Sequence, residues 1–219
     1  EWKTATFDYD RGTKIAVDTQ DNAESMNIAF GMAGAELMRT KVAPEADAYT
    51  FAKIAGTTGI TKVSEDYESA EAFLSALLKA TTKMDEDEVP SEQRILYSTP
   101  TLLNSVKALD TNKSREALQG FAKVVPVPAT RFYTKIKLLS GKDTELDGGF
   151  QKATDGHVIN FLIVHKPAVM KWDKHTVSDV IPASNNIESD SDVLKYRKYG
   201  IVDVYQNKVA GIYLSASAK

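Results

Sequence analysis

The side chains that could support metal or acid–base chemistry are few and scattered. The chain contains no cysteine and three histidines, His157, His165 and His175. None of the histidines stands at the spacing of an H-E-x-x-H motif or a comparable zinc-binding pattern. The lack of cysteine excludes disulfides, thiol nucleophiles, iron–sulfur clusters and cysteine-ligated zinc. A hydrolase that uses Asp or Glu together with His157 or His175 and a divalent metal stays open as an alternative that no local motif supports.

Two further segments have the composition of ligand-binding loops but not the spacing. The acidic run Asp85–Glu88 lacks the glycine and the terminal glutamate of a calcium-binding loop. The glycines between residues 141 and 156 match neither a dinucleotide-binding motif nor a P-loop, and no serine stands in a G-x-S-x-G sequence. We therefore expect a solvated helix end and a loop at these places. The sequence predicts no catalytic residue, no cofactor and no metal.

A run of basic and aromatic residues near the end of the chain is the main candidate for nucleic-acid binding. Its cations could contact phosphates and its rings could stack on bases. In a strand, however, Tyr196 and Lys198 would face one way, and Lys195, Arg197 and Tyr199 the other. The whole chain has 27 basic and 30 acidic residues, so it has no overall basic footprint. We expect an amphipathic strand, and a nucleic-acid-binding module stays a further alternative.

The elements that carry these residues change from helical in the first half to mostly strand in the second. Apolar spacings of three and four predict a long helix over Asn22–Ile54, which Pro44 kinks or restarts. A second helix begins after Ser69 and ends near Lys83, ahead of the acidic run. This order of elements indicates an α+β fold. The predicted strands of the second half are 124–127, 161–164, 176–181 and a closing hairpin of Leu194–Tyr205 with Val209–Leu214.

The first twenty residues have the pattern of a β-hairpin. Polar and apolar residues alternate on both sides of Asp10-Arg11-Gly12, which supplies turn chemistry. A hairpin this short is marginal alone and must pack on another surface. Its aromatic residues have no nearby partner in the sequence, so it lies either on its own domain or, as an arm, on a neighbouring subunit. The second alternative predicts intersubunit contacts at Trp2, Phe7, Tyr9 and Arg11.

Length and composition describe an ordinary globular chain. Its 219 residues are 42% hydrophobic and 26% charged, which indicates a folded core. No apolar run approaches the roughly 18 residues of a membrane span. Residues 1–90 hold 9 basic and 17 acidic side chains, whereas residues 91–219 hold 18 and 13. Two lobes of opposite sign would favour side-by-side packing of copies, and a solvated surface without a partner explains the same counts.

Several stretches of the sequence are more informative in their order than one by one. They are Phe7–Asp18, Ala29–Gly31, Arg39–Tyr49, Arg94–Thr101, Val125–Pro128, Tyr196–Arg197, Asp203–Val204 and Asn207–Tyr213. In this order they resemble the major capsid proteins of tailed bacteriophages, a family with the Johnson fold. The first resembles the end of the family's extended loop, the next two its spine helix, and the fourth its entry into the axial domain.

The resemblance implies an α+β phage major capsid fold with a long spine helix and three parts. These are a partial extended-loop hairpin at 1–20, a peripheral domain at 21–62 plus 170–205, and an axial domain at 63–169 plus 206–219. It implies a structural subunit without enzymatic activity or cofactor, which assembles into the hexamers and pentamers of an icosahedral shell. The shell would enclose phage DNA without sequence-specific binding or membrane contact, as a virion component assembled in the host bacterial cytoplasm.

Members of this family begin with an N-terminal arm and the outgoing strand of the extended loop. The resemblance places both ahead of residue 1, and it therefore predicts an N-terminally truncated or processed form of a longer subunit. A nanocompartment shell of the encapsulin type, which packages protein cargo and not DNA, is an alternative within the same fold.

Overall fold

Two units make up the chain, and each is built from two separate stretches of sequence. The computed structural model describes residues 4, 6–25, 28–145 and 148–218, except for the side chains of Asp143 and of residues 175–178. Unit 1 consists of Glu1–Pro44 and Lys171–Val202, and unit 2 of Glu45–Met170 and Asp203–Lys219. The chain therefore crosses between the units three times. The peripheral and axial assignments made from the resemblance stay predictions.

Among the described residues, the six α-helices all precede Gly120 and seven of the ten strands follow it, as expected for an α+β fold. The strands are β1 Tyr9–Asp18, β2 Thr61–Ser64, β3 Arg94–Ser98, β4 Lys123–Pro126, β5 Ile136–Leu138, β6 Phe150–Lys152, β7 Ile159–His165, β8 Val169–Ile181, β9 Ser191–Val204 and β10 Ile212–Ala216. The α-helices are α1 Thr19–Glu24, α2 Ala29–Leu37, α3 Ala43–Gly56, α4 Ala70–Glu86, α5 Pro100–Ala108 and α6 Asn112–Gln119. Short 3₁₀ turns occupy Ala129–Arg131, Asp143–Glu145, Lys166–Ala168, Ala183–Asn185 and Gln206–Gly211.

The sheet of unit 1 has the strand order β1-β9-β8. Strand β1 pairs antiparallel with β9 in a register that runs from Tyr9 opposite Gly200 to Asp18 opposite Ser191. The predicted hairpin of residues 1–20 is therefore wrong, because Asp10-Arg11-Gly12 lies inside one continuous strand. Alternation of polar and apolar residues identifies a strand but not its partner, which here follows more than 170 residues later.

The predicted closing hairpin is also wrong. Strand β9 belongs to the sheet with β1 and β8, whereas β10 pairs with β7 and β2 in a different sheet. The 3₁₀ turn Gln206–Gly211 joins the two strands. The polar residues after Tyr205 indicate a turn between two strands. A turn signal does not show whether the two strands belong to the same sheet.

The long helix of the sequence prediction is present from Ala29 as consecutive segments, whereas its predicted start at Asn22 is wrong, because Asn22 lies in the separate helix α1, which ends at Glu24. Helix α2 is followed without interruption by a π-helical segment, Met38–Val42, and by α3. The amide of Ala43 donates to the carbonyl of Met38, one residue further than in an α-helix. Pro44 follows at the second position of α3. Because Pro44 has no amide hydrogen, it cannot donate to Thr40, and the widened turn lies directly before it.

Unit 2 is built on a five-stranded sheet with the order β2-β10-β7-β3-β4. Strand β7 is antiparallel to β3 and β10, while β10 runs parallel to β2 and β3 runs parallel to β4. Residues 161–164 of β7 are buried, as the apolar run predicts. Helix α4 packs Phe73 on this sheet, with its ring 5.6 Å from that of Phe161 in a T-shaped arrangement. The core cluster also includes Leu77, Ala80, Met84, Leu96, Leu103, Val106, Ile163 and Tyr213.

Helix α4 agrees with the sequence at its start and differs at its end. Ser69 caps it, because its hydroxyl accepts a hydrogen bond from the Ala72 amide at 3.1 Å. Leu78 on this helix is 48% exposed. The predicted end at Lys83 is wrong, since the helix continues to Glu86. Arg94 supplies the compensating charge: its guanidinium pairs with Asp85 at 2.6 Å and donates to the carbonyls of Val89 and Pro90.

Strand β4 forms one edge of the unit 2 sheet and ends in proline. It pairs only with β3 within the described residues, in a register from Ile95 opposite Lys123 to Ser98 opposite Pro126. Pro128 follows two residues later. Neither proline has an amide hydrogen to offer a further strand, which fits the edge position predicted from the sequence.

The charge asymmetry along the sequence does not correspond to the two units. Unit 1 contains 10 basic and 12 acidic residues, and unit 2 contains 17 and 18. The expectation of two lobes with opposite charge is therefore wrong, because each unit takes residues from both halves of the sequence.

Candidate interaction surface

The four residues predicted at an intersubunit contact have different environments. Phe7 precedes β1 and is 39% exposed. The ammonium of Lys174 lies 5.4 Å from the centre of its ring, a cation–π arrangement. Arg11 is half-buried on β1, opposite Lys198 in the register. Trp2 lies outside the described residues. The role of Phe7 and Arg11 between subunits stays a prediction.

Tyr9 does not fit the reasoning that selected it. It is 5% exposed and therefore buried within its own unit. Its ring lies over Gly200, where an added Cβ would be 3.5 Å from the Tyr9 Cδ1 atom. The expectation that Tyr9 has no partner inside the chain is wrong, because the register of β1 on β9 supplies one that is distant in sequence.

The basic and aromatic residues of β9 are divided between the two faces of the sheet, as predicted. Tyr196 is buried and Lys198 half-buried, whereas Lys195 and Arg197 are exposed. Lys198 pairs with Asp173 at 2.9 Å. Since Trp172 and Lys174 flank Asp173 on β8, alternation turns them toward the face of Arg197.

Two cations on this exposed face, Arg197 and Lys14, have acidic partners. Arg197 donates two hydrogen bonds to Asp10, at 2.9 and 3.1 Å, and stacks on the Tyr199 ring at 4.5 Å. The hydrogen bond from Arg197 lowers the pKa of Asp10. Lys14 pairs with Glu188 at 2.9 Å. Phosphate binding would have to break these pairs, so the arrangement does not favour a nucleic-acid interface.

The histidines are not brought together with clusters of acids. His165 ends β7, and burial, followed by the charges of Lys208 and Arg94, lowers its pKa. The backbone amide of His157 donates to the Thr134 hydroxyl, and the side chain of His175 lies outside the described residues. In the part of the chain that the structure describes, no three metal-ligating side chains converge. The acidic run at 85–88 is a helix end, with Asp85 paired to Arg94 and Asp87 to Lys83.

The glycine-rich segment forms a loop between β5 and β6 within unit 2. Gly141, Gly148 and Gly149 have positive φ angles. Glu145 accepts hydrogen bonds from the Lys137 ammonium at 2.6 Å and from the Ser140 amide at 2.8 Å. These contacts, with that of Lys137 the larger, lower the pKa of Glu145 to about 2.

Sequence reasoning missed an apolar groove on unit 1. None of the nine residues of α2 is buried, although Glu36 is the one charged residue between positions 28 and 38. The groove has a volume of about 260 Å³ and lies between this helix and β9. We call it the α2 groove; its lining includes Phe30, Gly31, Gly34, Met38, Leu194 and Tyr196.

Small residues on α2 create the α2 groove. A Cβ atom on Gly34 would lie 3.1 Å from the Leu194 side chain, so glycine allows the helix to approach β9 closely. A Cβ atom on Gly31 would meet nothing within 4 Å, which leaves the groove open at that position. Next to the groove, Met32 is 66% exposed. The sequence signal for this groove is an apolar helical segment without a polar face. Helical periodicity alone predicts that such a segment is buried in the core.

No family model matches the chain, and no curated protein matches it in sequence. Solved structures do match it. A structure from Mycobacterium phage Che8 aligns with a TM-score of 0.63 at 12% identity, over 95% of this chain and 70% of that chain. The virus-like particle from Pyrococcus furiosus aligns with a TM-score of 0.61 at 10% identity, over 94% and 75%. The capsid of cyanophage P-SCSP1u aligns with a TM-score of 0.56 at 15% identity, over 97% and 73%.

These similarities cover nearly the whole chain and define its fold. The chain has the fold of phage capsid and virus-like-particle subunits, so the Johnson fold expected from the sequence resemblance is confirmed. Identities of 10–15% show a shared fold and not a shared function. Among the described residues, no helix combines the length and the apolarity that crossing a bilayer would require.

Proposed function

We propose that this chain is a major capsid subunit whose function is to assemble into a closed shell. One observation carries the proposal: the fold correspondence with the phage Che8 structure extends over 95% of the chain, across both units. A correspondence of this extent leaves little of the chain for a separate catalytic domain. In this proposal the subunit has no enzymatic activity and no cofactor.

The proposal gives each part of the chain a place in the shell. Residues 63–169 plus 206–219 would form the axial part of hexamers and pentamers, and residues 21–62 plus 170–205 the peripheral part. The shell would be icosahedral and would enclose phage DNA without sequence-specific contacts and without a membrane, as a virion component assembled in the host cytoplasm. The truncated or processed form expected from the resemblance stays a prediction.

Measurements on the purified chain at increasing concentrations test assembly directly. We expect light scattering to show cooperative growth in mass above a threshold concentration, and negative-stain images to show rings or closed shells. A chain that stays monomeric at all accessible concentrations and salt conditions would contradict the proposal.

The contents of the particles separate a phage capsid from a nanocompartment. Nuclease treatment followed by extraction should release protected DNA from particles formed in cells that carry the phage genome. Particles that contain a defined protein cargo and no DNA would favour the nanocompartment alternative, which the match to the Pyrococcus furiosus particle does not favour over a phage shell.

A further inference from the structure

An isoleucine on unit 1 is held entirely in solvent. Ile187 lies in the loop that joins β8 to β9, and its relative exposure is 102%. Isoleucine is among the residues most often buried in folded proteins, so a fully exposed one at a loop tip is uncommon. Such a residue is informative when the loop around it is ordered, because the exposure is then a fixed property of the fold.

Hydrogen bonds order this loop around Ile187. The Asn186 side-chain amide donates to the Ser189 hydroxyl at 3.1 Å and to the Ser191 carbonyl at 3.0 Å. Its carbonyl accepts from the Glu188 amide at 3.2 Å. At the base of the loop, Asp192 accepts from the Ala183 amide at 2.9 Å. The loop is therefore organised for contact before any partner binds, which reduces the entropy cost of binding.

We propose that Ile187 of one copy inserts into the α2 groove of a second copy. The inference rests on the proposed function, because it specifies one of the contacts through which copies would assemble. The groove is apolar and large enough for a branched aliphatic side chain. Burying an isoleucine of this exposure removes apolar surface from water on both copies.

The charges beside the two surfaces are complementary. Residues 182–192 contain three acidic side chains and no basic one. Glu188 is paired with Lys14, so the acidic charge of the loop toward a second copy comes from Asp190 and Asp192. The π-helical segment that follows the groove contains Arg39 and Lys41 and no acid. Glu36 forms an ion pair with Arg39 at 2.8 Å, and Lys41 is exposed. An acidic loop beside a basic helix end favours this orientation of two copies and opposes the reverse one.

Ile187 and the α2 groove lie at different places on one unit. Ile187 and Leu194 are seven residues apart, and a chain of that length spans at most roughly 25 Å. Each copy would therefore offer both halves of the contact close to each other. Insertion from each copy into the next produces a closed ring or a continuing array, as a shell requires, whereas reciprocal insertion between two copies would produce an isolated dimer and would contradict this arrangement.

Trp172 on β8 is another large exposed apolar side chain of unit 1. Its indole N–H requires a hydrogen-bond acceptor when buried. By alternation it also lies on the charged face of the sheet, beside Arg197 and Tyr199, and not beside the groove. These features favour Ile187 as the residue that enters the α2 groove.

The absence of native cysteine allows a direct cross-linking test. In the variant G31C/I187C, the proposal places the two thiols of adjacent copies within reach of a disulfide or a short bismaleimide. We expect assembled protein to give a ladder of covalent multimers on denaturing gels. A mixture of the single variants G31C and I187C should give covalent dimers and nothing larger, because each chain then carries one half of the contact.

Two matched variants serve as controls. G31C/V180C places a thiol at another exposed apolar residue of unit 1, and it should give no ladder. A ladder from G31C/W172C together with none from G31C/I187C would overturn the choice of Ile187. A cross-linked product that runs as a monomer would mean that the loop reaches the groove of its own chain, and it too would overturn the proposal.

Assembly measurements distinguish failure of the contact from failure of the function. Ile187→Asp should fold as the wild type does, because the side chain is fully exposed, and should lower the yield of particles at least tenfold. Leu78→Asp, at an exposed leucine of unit 2, is the matched control and should change the yield less than twofold. Normal particles from Ile187→Asp would overturn the contact and leave the shell function standing. A wild-type chain that never assembles would contradict both.

Discussion

Phe7 and Tyr9 are two residues apart in the sequence, yet one is exposed and the other is buried. Tyr9→Ala should lower the free energy of unfolding by about 3 kcal/mol, because it empties a packed position over Gly200. Phe7→Ala should cost less than about 1 kcal/mol in the same chain. Denaturant unfolding of the two variants measures both values. Equal losses would contradict the burial difference.

Glycine is required at some positions of this chain and is replaceable at others. A Cβ atom on Gly156 would lie 2.6 Å from the Lys135 carbonyl oxygen, so Gly156→Ala must displace backbone and should destabilise unit 2 by about 1–3 kcal/mol. Gly31→Ala meets nothing within 4 Å and should instead stabilise the chain by about 0.5–1 kcal/mol, since alanine is the better helix former. Thermal unfolding of the two variants should shift in opposite directions.

Glu145 predicts a pH dependence for the loop between β5 and β6. Its pKa falls from an ordinary value of 4.5 to about 2 when the chain folds. A lowered pKa stabilises the folded state at pH values above the pKa of the same group in the unfolded chain. This stabilisation disappears as the pH falls toward 2. Glu145→Gln should therefore unfold at a lower temperature than the wild type at pH 7. The difference should shrink between pH 4.5 and 2, and a constant difference across this range would contradict the assignment.

At the scale of elements, the end of α4 depends on one buried cation. Arg94 is 2% exposed and donates to two backbone carbonyls, whereas its partner Asp85 is largely in solvent. Arg94→Gln should cost about 2 kcal/mol, because it leaves buried acceptors without a full-length donor. Asp85→Ala removes only the exposed half of the ion pair and should cost less than about 1 kcal/mol. Urea unfolding measures the loss of unfolding free energy in each variant. A larger loss from Asp85→Ala than from Arg94→Gln would refute this account.

Individual elements could be predicted from the sequence, but their partners could not. The cap at Ser69 and the strand around Phe161 are local signals, and both are present. The pairing of β1 with β9 joins residues that are more than 170 positions apart. Neither a turn signal nor the hydrophobic periodicity of a strand indicates such a pairing. The two predicted hairpins failed for this reason.

The α2 groove shows the same limit for the candidate site. Gly31 and Gly34 are visible in the sequence as small residues in a helix, but the groove exists because β9 lies beneath them. Phe7 is 39% exposed, in agreement with an aromatic residue that has no nearby partner in the sequence, while its role between subunits stays a prediction. Sequence reasoning can identify a residue that lacks a partner, whereas a concave surface requires two elements to be placed together.

At the scale of the whole molecule, each unit carries nearly balanced charge. Long-range attraction between oppositely charged lobes therefore cannot drive association. The particle yield should change less than about twofold between about 0.05 and 0.5 M NaCl, although screening lengths fall several-fold over this range. Ammonium sulfate should raise the yield, because it strengthens apolar contacts. Dissociation of particles in NaCl alone would indicate that ion pairs dominate the subunit contacts.

The prolines at the edge of the unit 2 sheet have a consequence for the proposed shell function, which requires many copies of the chain. At high local concentration, an open sheet edge invites stacking of chains into fibrils. Pro126 and Pro128 deprive the β4 edge of the amide donors that such stacking requires. Along that edge, copies can meet through side chains but not through endless addition of strands. The sequence thereby opposes amyloid-like growth along this edge.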